Sequence, residues 1–207
     1  MSTPERDTVA AYDAYAADYR DGTTTPPTSV LTTVDRFAEE LPTGARVLEI
    51  GSGPGRDARL LEAAGLSVRR TDVSREFVRL MRADGYEADV LDPLTDDLFD
   101  PIRPFERYDA VWADACLLHV ARNDFPIVAG RLADATRSDG LLYASVKEGD
   151  GEEWSTHGHV DAPRHFVYWR SHEVREALED SGWLVDEVGR EQGERGEIWL
   201  EIWARRQ

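Results

Sequence analysis

Apolar and polar residues follow two alternating patterns along most of the chain. Short apolar runs are typical of buried strands, and the segments between them repeat apolar residues every three or four positions, as amphipathic helices do. The apolar runs predict strands over 46–50, 66–71, 86–91, 108–113 and 140–147. The amphipathic segments predict helices over 8–19, 29–40, 57–64, 74–83, 124–136 and 171–180.

The order of these elements predicts the fold class. Regular alternation of strand and helix is typical of a parallel sheet that is covered on both faces. Residues 183–189 and 197–205 alternate apolar and polar positions, and Gly193-Glu194-Arg195-Gly196 between them indicates a hairpin turn. Residues 148–165, rich in glycine, histidine and acids, predict an irregular segment. We therefore predict a single α/β domain whose last two strands form an antiparallel edge.

Composition narrows the classes of function. The formal net charge of −17 argues against nucleic acid or an anionic membrane as partner, although it equally fits a protein adapted to salt. Cys116 is the only cysteine, so an internal disulfide and a cysteine-based metal cluster are excluded. The chain lacks an apolar run of the ~20 residues that a membrane helix needs, and its N-terminus does not resemble a signal peptide. We expect a cytoplasmic protein.

A glycine-rich turn follows the first predicted strand. Residues 47–50 (VLEI) lead into Gly51, Gly53 and Gly55, and in doubly wound sheets ligands bind at this end of the strands. The dinucleotide fingerprint G-x-G-x-x-G would require its third glycine where Arg56 stands. Glu49 would repel a pyrophosphate and would suit a cationic ligand. A nucleoside such as S-adenosylmethionine, with an ammonium and a sulfonium group and without phosphate, therefore fits better than a dinucleotide.

Acidic residues end the next two strands. Asp72 ends the second strand and can accept hydrogen bonds from both hydroxyls of a ribose, a geometry that serves NAD equally. Asp89, near the end of the third strand, can accept from an adenine amino group, while Val90 offers a backbone N–H and an apolar face. Asp92 is a rival for the adenine contact. Glu49 as a turn cap and Asp72 as a helix cap are the structural alternatives.

An ordered series of motifs resembles the class I S-adenosylmethionine-dependent methyltransferases. Residues 47–55 (VLEIGSGPG) resemble their first motif, and 71–74, 88–90, 108–120 and 140–147 resemble the following ones. The resemblance implies a Rossmann-like seven-stranded sheet of order 3-2-1-4-5-7-6 with strand 7 antiparallel. It is closest to small-molecule enzymes of the ubiquinone-biosynthesis and tellurite-resistance kind. It implies one domain over 1–207, with a helical lid at 1–43 and an acceptor-side insertion at 148–170.

The resemblance and the strand ends together predict a cofactor site. Two predictions have structural alternatives: Arg56 could equally form a local ion pair with Asp57, and the tyrosines could simply pack the N-terminal helix. The predicted cofactor-binding residues are Tyr15, Tyr19, Glu49, Gly51, Ser52, Gly53, Gly55, Arg56, Asp72, Val73, Asp89, Val90 and Ala113.

The acceptor side is less defined. Asp114 and His119, after the fourth strand, are the candidate catalytic bases, with a structural histidine as the alternative for His119. Arg164 could bind an acceptor carboxylate with two hydrogen bonds or pair with surface acids. His157 and His159 suggest a metal less well than a mobile loop, and we predict no metal. The predicted acceptor pocket consists of Tyr12, Trp154, Arg164, Tyr168 and Trp169.

We therefore expect methyl transfer from S-adenosylmethionine to a small-molecule acceptor, without nucleic-acid or membrane partners. Amino-group methyltransferases of bases or glutamine carry an Asn/Asp-Pro-Pro-aromatic motif, and residues 113–116 (ADAC) do not. Two alternatives remain: an NAD(P)-dependent oxidoreductase, and an S-adenosylmethionine-binding protein without catalysis. The sequence does not predict the acceptor or the oligomeric state.

Overall fold

A computed structural model of the protein describes residues 3–193 and 195–207. Glu194, in the predicted hairpin turn, lies outside the described residues. The described helices are α1 (Thr3–Ala14), α2 (Ala16–Gly22), α3 (Thr28–Glu39), α4 (Arg56–Ala63), α5 (Arg75–Ala83), α6 (Phe125–Ala135) and α7 (Ser171–Glu179). The described strands are β1 (Arg46–Ile50), β2 (Ser67–Asp72), β3 (Asp89–Val90), β4 (Tyr108–Ala113), β5 (Thr136–Lys147), β6 (Glu152–Ser155), β7 (Arg164–Val167), β8 (Trp183–Gln192) and β9 (Ile198–Arg206).

The main sheet has the predicted topology. Within the described ranges its strands follow the order β3-β2-β1-β4-β5-β9-β8. The first five strands of this order run parallel, and β9 is antiparallel to both β5 and β8. The predicted order 3-2-1-4-5-7-6 is confirmed, with β8 and β9 as strands six and seven. Strand order reverses beside β1, so β1 and β4 diverge at the position where such folds bind ligands.

Both faces of the sheet are covered because its strands are apolar on both sides. Val47 and Leu48 are adjacent in β1, point to opposite faces and are fully buried. On one face α3 packs Phe37 edge-on against Trp112 of β4, with ring centroids 5.0 Å apart. On the other face α6 and α7 bury residues such as Leu132. Each fully buried aliphatic side chain contributes about 1.5–3 kcal/mol, which explains the continuous apolar runs in the sequence.

Three local predictions were wrong in extent. The helix predicted over 8–19 is divided at Tyr15, whose backbone leaves helical geometry at φ −117° and ψ 19°. The third strand, predicted over 86–91, consists only of Asp89–Val90. The residues before it belong to the turn after α5, which contains Gly85 at φ +90°. The irregular segment predicted over 148–165 contains β6, which pairs with β7 in an antiparallel hairpin. No helix of the described chain is both long and apolar enough to cross a bilayer.

Candidate active site

The glycine turn after β1 folds tightly because its glycines adopt left-handed backbone angles. Gly51 has φ +69° and Gly53 has φ +53°, a region that other residues rarely enter. At Gly51 a Cβ would lie 2.3 Å from the Cβ of Cys116, so only glycine fits there. The Ser52 N–H donates to the Thr71 carbonyl oxygen at 3.0 Å, which ties the turn to β2. The turn is therefore fixed by its neighbours on both sides.

Glu49 lies beneath this turn, away from the cleft. Its side chain is 1 % exposed, and its carboxylate accepts a hydrogen bond from the Ser52 hydroxyl. Burial raises the pKa of Glu49 from 4.5 to about 8, and the charge of Asp57 adds to the effect. Glu49 thus supports the turn, as the alternative role of a turn cap requires. Its carboxylate does not reach the surface of the cleft.

Asp72, at the end of β2, is positioned by the backbone. One carboxylate oxygen accepts from the Gly53 N–H at 2.8 Å and the other from the Ser74 N–H at 2.7 Å. Burial raises its pKa to about 6, although these two amides act in the opposite direction. An ionised carboxylate has about four acceptor sites, so two remain for hydroxyl groups of a ligand. Asp72 therefore combines fixed geometry with free hydrogen-bonding capacity.

An open cleft of about 1170 Å³ lies at the carboxyl ends of β1, β2 and β4, between the glycine turn and helices α1 and α2. The predicted cofactor residues divide into two groups around it. Those that line the cleft are Tyr19, Gly51, Ser52, Gly53, Arg56, Asp72 and Val73. Those that do not are Tyr15, Glu49, Gly55, Asp89, Val90 and Ala113.

The cleft wall near the glycine turn is acidic. Asp57, in the first turn of α4, and Asp114, after β4, both line it. Arg56 lies between them, with its Nε 2.7 Å from Asp57 and its Nη2 3.8 Å from Asp114. Asp114 also accepts from the Ser145 hydroxyl at 2.6 Å, and burial together with the charge of Asp57 raises its pKa. Two carboxyls, those of Asp57 and Asp114, thus face one guanidinium, and Asp72 lines the same cleft.

Of the two candidates for the adenine contact, Asp92 lines the cleft and Asp89 does not. Asp89 forms an ion pair with Arg69 at 2.9 Å and lies outside the cleft. Asp92, just beyond β3, lines the cleft and accepts from the Leu94 N–H at 2.9 Å. The shortness of β3 explains why Asp92 and not Asp89 lines the cleft, because the chain turns toward the cleft only after Val90.

His119 is part of a chain of hydrogen bonds that begins at the cleft. Its Nδ1 lies 2.7 Å from the His165 carbonyl oxygen, which can only accept, so Nδ1 carries the proton. Its Nε2 then accepts from the Tyr12 hydroxyl at 2.9 Å. Burial lowers the pKa of His119 to about 3, and it is therefore neutral at physiological pH. Both Tyr12 and His119 line the cleft, but both ring nitrogens of His119 are engaged, so the Tyr12 hydroxyl is the group of this pair with hydrogen-bonding capacity left for a ligand.

Helix α1 is attached to the rest of the molecule by side-chain hydrogen bonds along its length. Glu5 accepts from the Ala121 N–H at 2.9 Å, and Thr8 accepts from the His165 N–H at 2.9 Å. Tyr12 pairs with His119, and Asp13 accepts from the Ser74 hydroxyl at 2.5 Å. Three segments far apart in sequence, at Ser74, at residues 119–121 and at His165, thus hold the helix over the cleft.

The predicted acceptor residues lie in different environments. Tyr12 lines the cleft, and Arg164 lies directly behind it. Trp154 is exposed in the β6–β7 hairpin, and Tyr168 donates its hydroxyl to Glu153. Trp169 is buried in the core against Phe125, with ring centroids 4.6 Å apart. The structure therefore gathers only two of the five.

Several cleft residues were missed from the sequence. Asp57 was seen only as a partner of Arg56, and Thr8 and Glu5 had no motif to mark them. Helical spacing supplies the available signal, because Glu5, Thr8 and Tyr12 lie three and four residues apart and so share one face of α1. Among the described residues no three histidine, cysteine or acidic side chains are grouped closely enough to hold a metal ion.

Comparison with known proteins gives a family and a fold. The sequence model of a family described as a methyltransferase domain matches residues 25–188. No curated protein sequence matches significantly. Among solved structures, a 1,6-didemethyltoxoflavin-N1-methyltransferase from Burkholderia thailandensis, with S-adenosylhomocysteine bound, is 21 % identical with a TM-score of 0.73, covering 100 % of this chain and 92 % of its own.

Two further structures share the fold at lower identity. Magnesium protoporphyrin IX methyltransferase from Synechocystis, with S-adenosylmethionine bound, is 15 % identical with a TM-score of 0.76, covering 100 % and 99 % of the two chains. The [4+2]-cyclase SpnF is 14 % identical with a TM-score of 0.75, covering 99 % and 96 %.

Proposed function

The chain belongs to the methyltransferase-domain family, and on that premise we propose that it transfers a methyl group from S-adenosylmethionine to a small-molecule acceptor. The resemblance to class I methyltransferases is thereby confirmed at the level of family, fold and cofactor. The acceptor itself is the part that we propose from the structure. The lid at 1–43 and the acceptor-side insertion at 148–170 remain proposals as well.

The observation that carries this proposal is the charge of the cleft. Asp57, Asp72 and Asp114 line it beside a glycine turn, with Arg56 as their neighbouring cation. A ligand with an ammonium and a sulfonium group favours the ionised form of carboxyls, and burial, which raises the pKa of Asp72 and Asp114, makes that form costly without such a partner. The residues present therefore fit S-adenosylmethionine.

The same geometry disfavours a nicotinamide dinucleotide. A pyrophosphate binds at the N-terminus of the helix after the glycine turn, where backbone N–H groups point at it. In this protein that position is occupied by Asp57, a buried carboxylate in the first turn of α4 that faces the cleft. The carboxylate of Asp57 would repel a pyrophosphate bound at this position. An NAD(P)-dependent reaction is therefore the weaker alternative.

The chain's own groups have distinct tasks in the proposed reaction. Bound S-adenosylmethionine supplies an activated methyl group on its sulfonium. Asp72 holds ribose hydroxyls, and Asp57 and Asp114 fix the positively charged end. Helices α1 and α2 exclude water, and such positioning is worth up to about 7–11 kcal/mol. The Tyr12 hydroxyl, held by His119 Nε2, can accept a hydrogen bond from the acceptor and so orient it, while His119, whose pKa burial lowers, positions Tyr12 and stays neutral.

Titration calorimetry with S-adenosylmethionine and S-adenosylhomocysteine tests the cofactor half of this proposal. We expect the parent protein to bind both, and Asp72→Asn to bind at least tenfold more weakly, because a charge-assisted hydrogen bond contributes about 1.5–3 kcal/mol. Asp84→Asn, an exposed aspartate after α5, is the matched control and should bind as the parent does. Binding of NADH in place of both ligands would contradict the proposal.

A second candidate function is binding of S-adenosylmethionine without methyl transfer. It is favoured by one comparison, since the cyclase SpnF has the same fold and is described by a different reaction. It is also compatible with the fully engaged ring of His119. The two candidates separate in an acceptor screen with isotope-labelled S-adenosylmethionine: label appearing in an acceptor supports methyl transfer, and binding with no labelled product across the screen supports the alternative.

A further inference from the structure

Two buried cations, one on β5 and one on β7, lie behind the side of the cleft that α1 lines. Arg164 is 3 % exposed and Lys147 is 6 % exposed. Across the described ranges, neither forms an ion pair with a carboxylate. The missing carboxylate partners are not explained by composition, because the chain has 41 acidic residues against 24 lysines and arginines. Lys147 is the only lysine. Burying unpaired cations is costly, so their position calls for a reason.

The guanidinium of Arg164 is only partly used. Its Nη1 donates to the Tyr12 hydroxyl oxygen at 3.4 Å, and its Nη2 donates to the His157 carbonyl oxygen. Its Nε is buried and has no hydrogen-bond partner in the part of the chain that the structure describes. Since Tyr12 lines the cleft, Arg164 is separated from it by a single side chain.

Lys147 extends the positive charge away from Tyr12. Its Nζ lies over the Phe166 ring, 4.5 Å from the centroid, and contacts Nε2 of His157. Phe166 also lies under Arg164, whose guanidinium carbon is 5.4 Å from the same centroid. The two cations thus share one aromatic ring and one histidine, and they form a single positive centre.

A short turn covers this centre. Gly158, between β6 and β7, is exposed and has φ +106°, and a Cβ there would lie 3.5 Å from Nη2 of Arg164. The next residue, His159, leans on α2: a Cβ on Gly22 would lie 2.8 Å from its Nδ1. The cover is therefore one glycine-containing turn that rests on the helices lining the cleft.

We propose that Arg164 and Lys147 bind an anionic group of the methyl acceptor, a carboxylate or a phosphate. The guanidinium fork suits both groups. Arg164 lies behind Tyr12, so an acceptor held there would place its uncharged part in the cleft, beside the hydroxyl. The opposite end of the cleft, lined by Asp57, Asp72 and Asp114, would repel the same anion and leave only one orientation. That the bound anion belongs to a methyl acceptor rests on the proposed function. The existence of the anion site does not depend on that function.

Calorimetry with three probes of one size tests the site: benzoate, phenyl phosphate and neutral benzamide. We expect at least one of the two anions to bind the parent tenfold more tightly than benzamide, and the preferred anion identifies the group. Arg164→Gln should reduce this preference to below threefold, and Lys147→Gln should reduce it partly. Arg103→Gln, an exposed arginine before β4 at the other edge of the sheet, is the matched control and should retain it.

The titrations are run with and without S-adenosylhomocysteine, which separates this inference from the proposed function. An anion preference in a protein that does not bind S-adenosylhomocysteine would support the site and contradict methyl transfer. Equal or absent binding of the three probes to the parent would overturn the anion site, and so would a preference that survives in folded Arg164→Gln. If Arg164→Gln does not fold, as judged by circular dichroism, an unchanged preference in Lys147→Gln overturns it instead.

Discussion

The two ends of the cleft are built in opposite ways. At the cofactor end, Asp72 is held by backbone N–H groups of the adjacent glycine turn and helix start, and the lining side chains are acidic. At the proposed acceptor end, Tyr12, His119 and Arg164 are held by one another across 107 and 152 residues of sequence, and the buried cation Arg164 lies behind them. The proposed cofactor site is therefore built mainly from local backbone geometry. The proposed acceptor site is built from side chains that only the tertiary fold brings together.

The largest effect should come from breaking the backbone geometry at the cofactor end. Gly51→Ala adds a Cβ 2.3 Å from that of Cys116 at φ +69°, and strain plus overpacking should cost about 3 kcal/mol. For a domain of this size that lowers the melting temperature by about 6–12 °C in a thermal unfolding scan.

The matched control for this variant is Gly44→Ala. Gly44 has φ +80° with no atom within 4 Å of the new Cβ, so only backbone strain, about 1–2 kcal/mol, applies. Equal losses in the two variants would show that the contact with Cys116 is unimportant. Adding Cys116→Gly to Gly51→Ala should restore part of the loss if the contact matters.

The acidity of the cofactor end should appear as a pH dependence of stability. Because the pKa of Glu49 rises from 4.5 to about 8 on folding, the folded state keeps a proton that the unfolded state releases. This contribution to stability is complete below pH 4.5 and is lost as the pH rises toward 8, by about 2–3 kcal/mol between pH 5 and 7. Urea unfolding at pH 5, 6, 7 and 8 measures it.

Glu49→Gln isolates that contribution. Glutamine keeps an acceptor for the Ser52 hydroxyl but does not titrate, so its stability curve should be flatter than that of the parent. Glu76→Gln, an exposed glutamate on α5, should follow the parent. Parallel curves for the parent and Glu49→Gln would mean that Glu49 is not buried as described.

At the acceptor end, Tyr12→Phe should separate turnover from cofactor binding. The substitution leaves His119 Nε2 without its donor and removes the group that faces the cleft. We expect kcat/KM to fall about 10–100-fold because the acceptor loses the hydroxyl that orients it, and affinity for S-adenosylhomocysteine to stay within about twofold. A labelled-methyl assay and calorimetry measure the two quantities.

Tyr86→Phe controls for the loss of a tyrosine hydroxyl. Tyr86 follows α5 and packs against Arg70, away from the cleft. If Tyr12→Phe lost as much affinity for S-adenosylhomocysteine as it lost in kcat/KM, the two ends of the cleft would not be independent.

The smallest effect concerns the adenine contact. Asp92→Asn keeps the hydrogen bond from the Leu94 N–H and removes one charge from the cleft, so affinity for S-adenosylhomocysteine should fall about fivefold, or about 1 kcal/mol. Asp89→Asn, at the outer ion pair with Arg69, should leave affinity unchanged in the same titration. The reverse ranking would restore Asp89 as the contact.

The cofactor end was largely predictable because its determinants are consecutive in sequence. The apolar run, the spaced glycines and the aspartate after β2 specified the fold, the turn and Asp72. The sequence could not show that Glu49 points beneath the turn, because a residue at the tip of a strand can face either side of it. Asp92 rather than Asp89 lines the cleft, a difference that the sequence could not show because strand ends are the least certain part of a predicted element.

The acceptor end was predictable only in its approximate location. Residues 148–170 contain Arg164, yet nothing local to them indicates that its guanidinium meets Tyr12 of α1. Trp154, Tyr168 and Trp169 were chosen because they are aromatic, and aromatic side chains pack in cores and on surfaces as readily as in pockets. Such pairings depend on which helix faces lie over the sheet, and that is decided by the whole fold.

The four anchors of α1 have a kinetic consequence. Glu5 and Tyr12 hold residues 119–121, Thr8 holds His165 and Asp13 holds Ser74, so the helix is released only when several bonds open together. In the proposed reaction, any ligand that passes beneath α1 has to wait for such an opening. We therefore expect departure of this helix, rather than the bond exchange at sulfur, to limit the number of catalytic cycles per second.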